Sequence, residues 1–478
     1  MKRLLLPLAI ALGGLPLPGA AQEPATQAAA PSSIDALEER LRRIERLLDP
    51  TSDDTGDSSL VSLDQRLKVI ERKLELQQEA TDAQVAKTPV VTLGDKGLGV
   101  KTPSGEFELK VRTLVQADQR SYFDDDALPQ ADGFLFRRIR PTLEGSFGSL
   151  IGFRLTPEFA GDSATIVDAY IDVKFNPAYT LRVGKVKGPV SLERLQSASA
   201  THFVERGFPA ELAPNRDIGA QLQGELSKGR VNYVLGIYNG TADGRDTASS
   251  NGDDNAEFAG RIFFEPWKNS GGALAGLGFG LAGSAGNKEG AGNNFQPRYR
   301  TPGQVVFFNY RSSVLADGKH QRWSPHLFYY RNSFGVLGEY IGSRQEVSLA
   351  GVAGSQISLD NRAWQLSGGW VLTGEDAGYR GVIKPSNPFV AGAEGWGAFE
   401  LVARYGELDI DDDAFPLYAN PASAASSAKS WGLGLNWYLN NNLKFVFNHT
   451  QTRFNGGSVA GTDREDEKTF FTRLQFAF

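Results

Sequence analysis

Arg137, Arg138 and Arg140 fall within four positions of the stretch "FLFRRIRPTLEG", residues 134–145, between phenylalanines and a glycine. A guanidinium stays charged at any physiological pH and presents a planar fork of N–H donors that fits phosphate or carboxylate oxygens two at a time. The chemistry on offer is anion binding. Covalent and metal chemistry lack their residues: the chain has no Cys, and His202, His320, His326 and His449 do not have metal-ligand spacing. Neither a GxxxxGK[ST] phosphate loop nor a GxSxG nucleophile elbow occurs. A Ser/His/Asp triad is a matter of geometry, and nothing in the spacing arranges one. The chain therefore reads as a non-enzyme, with no cofactor, metal or nucleic-acid partner expected.

A second basic stretch, residues 185–217, carries Lys185, Lys187, Arg194, Arg206 and Arg216 beside a Ser/Thr run. It exceeds an ordinary hairpin connection, and loops of that length in compact proteins are usually functional or disordered. We expect it to fold into an interior passage. Formal net charge is −6 over 478 residues, so any preference for anions must come from local placement of charge in a narrow passage.

The elements that position these groups are strands. In "FELKVRTLVQAD" Phe107, Leu109, Val111, Thr113, Val115 and Ala117 alternate with Glu108, Lys110, Arg112, Leu114, Gln116 and Asp118. "IVDAYIDVKF" and "NLKFVFNHT" repeat the pattern, one face oily and the other often charged. With 54 Gly, 29 Phe and 14 Tyr, the composition suits many strands better than helices. Candidate strands near residues 107, 134, 150, 165, 179, 217, 230, 256, 273, 321, 333, 362, 395, 430, 442 and 468 predict an all-β, antiparallel, transmembrane β-barrel of about sixteen strands. "QVVFFNY" at 304–310 would make one more; because bacterial barrels have even strand numbers, it is assigned to a long loop over about 287–320. Neighbours Arg137 and Arg138 cannot both face the lumen of a regular strand. Either one sits at a rim or a bulge re-aims it, since an arginine facing mid-bilayer would cost ~2–4 kcal/mol.

Ahead of the barrel, residues 1–21 read as a signal peptide, with Lys2 and Arg3 before an apolar run that is too short and too rich in Gly and Pro to span a membrane. Residues 22–33 read as a flexible linker. Residues 34–76 read as a short N-terminal α-helical coiled coil, with seams at Ile34, Leu37, Leu41, Ile44 and Leu48 and again at Leu60, Leu63, Leu67, Ile70 and Leu74. Residues 77–104 read as a second linker, and 105–478 as the barrel.

Together "FLFRRIRPTLEG", "DAYIDVKF", "LRVGKVKGPVSLER", "FVERGFP", "DIGAQLQGEL", "YVLGIYNG", "GLGLNWYLNNNLKFVFNH" and the terminal "TRLQFAF" resemble the phosphate-selective porins O and P. The resemblance implies a homotrimer of sixteen-stranded barrels in the Gram-negative outer membrane, with phosphate or polyphosphate passing an arginine-lined constriction formed partly by the third loop. It implies lumenal roles for Arg137 and Arg138, places Arg140 where the family has a tyrosine, and makes Asp168 a lumenal acid. In the loop it points to Arg194, Ser197 and the pair Glu205 and Arg206. "PRYR" suggests Arg298 and Arg300 as steps on the approach to the pore. The chain departs from the family at Leu114, where an arginine is expected and Arg112 stands two residues earlier, and at Ser199 and Ala198, which replace a lysine and a serine. Two alternatives stay open: a general or other-solute porin on the same scaffold, and a structural barrel whose periplasmic coiled coil tethers the envelope to the cell wall. Lipid of the outer membrane is a partner under every reading.

Overall fold

The computed structural model describes residue 42 and residues 56–478, apart from 86, 95–96, 124–129, 248–251 and 460. The signal peptide, the 22–33 linker and nearly all of the first heptad segment lie outside the described residues. The chain divides into two compact units, Met1–Val85 and Ala86–Phe478.

In the first unit, α1 spans Gly56–Val85. It carries the second heptad segment, whose Leu67, Ile70 and Leu74 are each at least half exposed. No helix among the described residues is long and apolar enough to cross a membrane. The stretch 77–104, read from sequence as a linker, is corrected here. Good helix formers such as Gln77, Gln78, Glu79 and Ala80 carry α1 on to Val85 without an apolar seam, and β1 (Val90–Gly94) pairs with β2 (Gly97–Lys101) as a hairpin.

The second unit is a barrel. Its first half is β3 (Phe107–Phe123), β4 (Gly133–Phe147), β5 (Ile151–Glu158), β6 (Thr165–Asn176), β7 (Tyr179–Val186), β8 (Asp217–Leu226), β9 (Val231–Tyr238) and β10 (Glu257–Phe264). After β11 (Leu277–Gly290), β12 (Arg298–Arg300) and β13 (Val306–Asn309) form a small hairpin of their own. The wall resumes with β14 (Val314–Arg331), β15 (Phe334–Leu349), β16 (Ile357–Val371), β17 (Ala398–Asp409), β18 (Ala425–Tyr438), β19 (Leu443–Gly456) and β20 (Glu467–Ala477). Among the described residues each wall strand pairs antiparallel with the next, and β20 closes on β3 from Lys468↔Phe123 to Ala477↔Leu114. This is a closed sixteen-stranded barrel, with the β1–β2 hairpin extending the sheet at Leu98↔Val111. The 304–310 piece does lie in a loop, but that loop is shorter than expected, because β11 runs to Gly290 and β14 begins at Val314.

Alternation decides which side chains face where. On β3 Gln116, Asp118 and Arg120 are buried inside. Outward lie Phe134 and Phe136 of β4, Ile166 and Ile171 of β6, and Leu181 and Val183 of β7, all well exposed. On β4 the pairing shifts between Gln116↔Arg138 and Ala117↔Phe136, so Arg137 is the extra residue of a bulge. The bulge resolves the conflict posed by two adjacent arginines: Arg137 and Arg138 both project inward, and Arg140 follows in phase with Arg138.

At the long-loop end, loop 239–256 is pinned by Asp243. Its carboxylate accepts from Arg322 Nε (2.6 Å), Ser343 Oγ (2.7 Å) and Tyr299 Oη (3.0 Å), with every partner buried. Burial alone would push the Asp243 carboxyl up, but the Arg322 guanidinium and His320 hold it well below the usual carboxylate range. Asp243→Asn should leave Arg322 short of a buried counter-charge, at a cost of about 3–5 kcal/mol. The folded barrel should then convert to the slow-migrating form at a lower temperature on a semi-native gel. An unchanged conversion temperature would mean that Asp243 does not hold this loop.

Candidate functional site

The 187–216 loop between β7 and β8 turns inward because its backbone finds partners on the lumenal face. Two short helices, α2 (Leu192–Leu195) and α3 (Pro209–Leu212), give it shape, and Ser191 Oγ caps α2 by accepting from Arg194 N (3.3 Å). Glu339 of β15 accepts from Ser191 Oγ (2.9 Å) and Leu192 N (2.6 Å). Across the lumen, Gln116 donates to Ala198 O (3.1 Å), Lys444 to Thr201 O (3.0 Å), Arg473 to Val204 O (2.8 Å) and Gln475 to Ser199 O (3.0 Å). The contact is close at Gly207, where a Cβ would lie 1.9 Å from Gln365 Oε1 and would displace that side chain.

One arginine group surrounds Glu205 of this loop. Arg137 makes a two-pronged pair with it (2.5 and 3.1 Å), and Arg120 Nη2 reaches the same carboxylate at 2.7 Å. Asp118 accepts two bonds from Arg473 (2.6 and 2.8 Å). Arg138 is buried alongside, bonded to Gln116 Oε1 at 2.6 Å, with its Nε unpartnered. Burial would raise the Glu205 carboxyl, but Arg137, Arg120 and Arg138 hold it well below its ordinary range. Three guanidinium groups thus share two carboxylates, with Arg138 buried beside them.

A second group lines an open lumenal cavity of about 880 Å³. Arg112, Arg140, Arg154, Arg182, Lys187, Arg216, Arg261 and Lys384 line it, against one carboxylate, Asp168. Carboxylates behind the arginines hold their forks in place: Glu144 takes Arg112 (2.8 Å) and Arg154 (2.6 Å), Glu158 takes Arg140 (2.6 Å), and Asp172 takes Arg182 (2.7 Å). Asp168 accepts from Arg216 at 3.4 Å. Lys187 donates to the carbonyls of Gln196 (2.9 Å) and Leu195 (3.2 Å), while burial and then Arg206 and Arg216 push its ammonium well down.

The residues singled out from sequence therefore separate. Arg112, Arg140, Asp168 and Ser197 line the cavity, with Ser197 Oγ 2.9 Å from Ser199 Oγ. Arg137 and Arg138 sit at the Glu205 cluster instead. Arg194 donates to Ala210 O and Asn215 Oδ1, and Arg206 to the carbonyls of Glu193 and Gln196 (each 2.9 Å), so both hold the loop's own fold. Burial and Arg194 push the Arg206 guanidinium down to about 9. Arg298 and Arg300 lie on β12 in the 291–313 loop, where Arg300 N donates to Glu211 of α3 (3.1 Å). Glu144 pairs with Arg112 and Arg154 rather than with the 137–140 arginines. Sequence reasoning missed Arg154, Arg182 and Arg261. Each is a lone arginine between apolar neighbours, as in "TLRVG", at the inward phase of its strand.

A family model described as phosphate-selective porin O and P matches residues 107–478. Porin O of Pseudomonas aeruginosa is 24% identical over 428 residues, which cover 80% of this chain and 91% of that protein. Among solved structures, the in-vitro folded trimer form of Vibrio cholerae OmpT matches with a TM-score of 0.50 at 10% identity, over 78% of this chain and 99% of that one. The outer membrane channel DcaP of Acinetobacter baumannii matches with a TM-score of 0.50 at 12% identity, over 79% and 99% respectively. These two likenesses speak to the fold.

Proposed function

The chain belongs to the phosphate-selective porin O and P family, and on that premise we propose that it forms an anion-selective channel for phosphate or polyphosphate. It is a channel protein of the Gram-negative outer membrane and not an enzyme. The observation that carries the proposal is the lining of the cavity, eight basic side chains against one carboxylate in a chain whose net charge is negative. A low-dielectric wall focuses that field on the ion path. Arginine forks fixed from behind by Glu144, Glu158 and Asp172 keep donors for a passing anion without reorganising, and Asp168 keeps the site from holding its ion too tightly. The in-folded 187–216 loop narrows the passage and brings Lys187 and Ser197 to it. Arg137 and Arg138 act through Glu205, fixing the loop that narrows the pore.

The test is single-channel current in chloride with phosphate added. Phosphate should block chloride current at concentrations far below those of sulfate or acetate; equal block by all three favours a general anion porin. Leu114 in the cavity, where the family resemblance expected arginine, motivates that second reading.

We further propose that the protein exports through the 1–21 signal peptide and assembles as a trimer, with α1 on the periplasmic side. The P. aeruginosa relative shares the family, and the V. cholerae neighbour is described as a trimer. The exposed Leu67, Ile70 and Leu74 suit packing against copies of the same helix. Deleting residues 34–76 should lower the temperature at which oligomers dissociate on a semi-native gel. If dissociation is unmoved while envelope integrity falls, the helix tethers the cell wall instead.

A further inference from the structure

The connection from β16 to β17, residues 372–397, departs from the short turns expected at this end of such a barrel. It reaches up to the 187–216 loop: Tyr379 Oη donates to Leu192 O (2.7 Å), and Gln196 Nε2 donates to Tyr379 O (3.0 Å). Between this connection, the loop and the wall lies an alcove of about 340 Å³ that shares Leu195, Ser197 and Arg261 with the main cavity. Its lining breaks the polar pattern of a barrel lumen. Phe263 and Phe328 lie 5.1 Å apart at the inward phase of β10 and β14, and Tyr379 stacks on Phe328 at 5.0 Å.

Arg261 stands at the junction of the two spaces. Every other arginine lining the main cavity has a carboxylate within 4.0 Å; Arg261 has none among the described residues. Its Nε donates to His326 Nε2 (3.1 Å), its guanidinium lies over the Phe263 ring (4.3 Å), and His326 Nδ1 donates to Ser324 O (2.9 Å). An imidazole nitrogen and an aromatic face therefore orient this cation, and among the described residues no carboxylate lies within ion-pair distance of it. Gln196, Ser197, Asn232 and a second arginine, Arg380, complete the lining, and Arg380 is paired with Glu265 at 3.4 Å, which leaves Arg261 as the alcove cation without a carboxylate partner among the described residues. Aromatic walls with a few convergent polar groups and a fixed charge are the ordinary make-up of a small-ligand site.

We propose that this alcove is a second binding site, selective for organic anions that carry an aromatic ring, the anionic group meeting Arg261 and the ring entering among Phe263, Phe328 and Tyr379. The proposal rests on the channel reading for access from the pore; its aromatic part lies beside the arginine-lined path and shares Arg261 with it. Ring stacking and burial should favour such anions over small carboxylates of equal charge. In planar bilayers, benzoate should half-block chloride current at a concentration about tenfold below that of acetate, the equivalent of roughly 1.4 kcal/mol. Arg261→Gln and Phe328→Leu should each bring the two concentrations together. Equal block by benzoate and acetate in the unaltered protein, or a benzoate preference that survives both substitutions, would overturn the proposal. A second readout needs no current: the ¹⁹F line of 4-fluorobenzoate should broaden on the detergent-solubilised protein and sharpen again with Arg261→Gln. If chloride-over-potassium selectivity is absent yet that broadening is present and lost with Arg261→Gln, the anion-channel reading fails and the alcove stands. If selectivity is present and no broadening occurs, the alcove fails alone.

Discussion

Glu205→Ala is expected to undock the 187–216 loop and to cost about 3–5 kcal/mol, the usual result of removing one partner from a buried ion pair. Without Glu205, Arg137 loses both prongs of its pair and Arg120 keeps only Asp118, at 3.2 Å. Cations crowded at the Arg137 bulge would then repel one another with Asp118 the one carboxylate left in the cluster. Single-channel conductance should rise and become noisy, and protease should cut within residues 187–216 in a barrel that otherwise stays intact. The pH dependence has a definite sign. Because the Glu205 carboxyl is held below its ordinary value of 4.5, its contribution is complete above that value and is lost only as pH falls through the lower folded value. The Arg137 and Arg120 pairs with Glu205 should therefore still be intact at about pH 5, so the conductance difference made by Glu205→Ala should be as large there as at neutrality. A Glu205→Ala channel of normal conductance and protease resistance would remove this carboxylate from the account of the constriction.

The second large effect is expected from reversing charge in the cavity itself. Replacing Arg154 and Arg182 together by Glu removes two lining cations, leaves Glu144 with Arg112 alone and unmasks Asp172. Several kcal/mol of electrostatic energy change hands over distances of a few ångströms in such a setting, so anion-over-cation permeability should fall on the order of tenfold or more. Lys228→Glu with Arg230→Glu, in the exposed turn between β8 and β9, alters net charge equally and should leave selectivity where it was. Matching losses from both pairs would mean that overall charge, not placement, sets the preference.

Much of this architecture was legible in the sequence because its signals are periodic. Two-residue alternation gave the strands and their inward phase, and the even-number rule sent 304–310 into a loop, where it pairs with β12. The adjacency of Arg137 and Arg138 demanded an irregularity, and the bulge is there. Partners were harder to read. That Arg137 would take Glu205, sixty-eight positions away, depends on how a loop crosses the lumen. Arg194 and Arg206 carry the charge expected of pore residues, but backbone carbonyls of their own loop satisfy them first. Arg154, Arg182 and Arg261 were hidden for a different reason: one charged residue in a short strand is also what an ordinary solvated face would show. The 77–104 stretch misled because hydrophobic periodicity stops at Leu74 while helix-forming composition does not. Nothing in "TGEDAGYRGVIKPSNPF" indicates that a connection at the short-turn end folds inward, and so the aromatic alcove could not be anticipated.

The central claim is that fixed arginines make this passage prefer anions, and reversal potential tests it most directly. With purified protein in a planar bilayer under a potassium chloride gradient, the zero-current potential should take the sign of chloride-selective permeation. Added phosphate should then depress the chloride current without changing that sign. A zero-current potential of cation sign, or one near zero that the Arg154→Glu, Arg182→Glu pair leaves unmoved, would contradict the account.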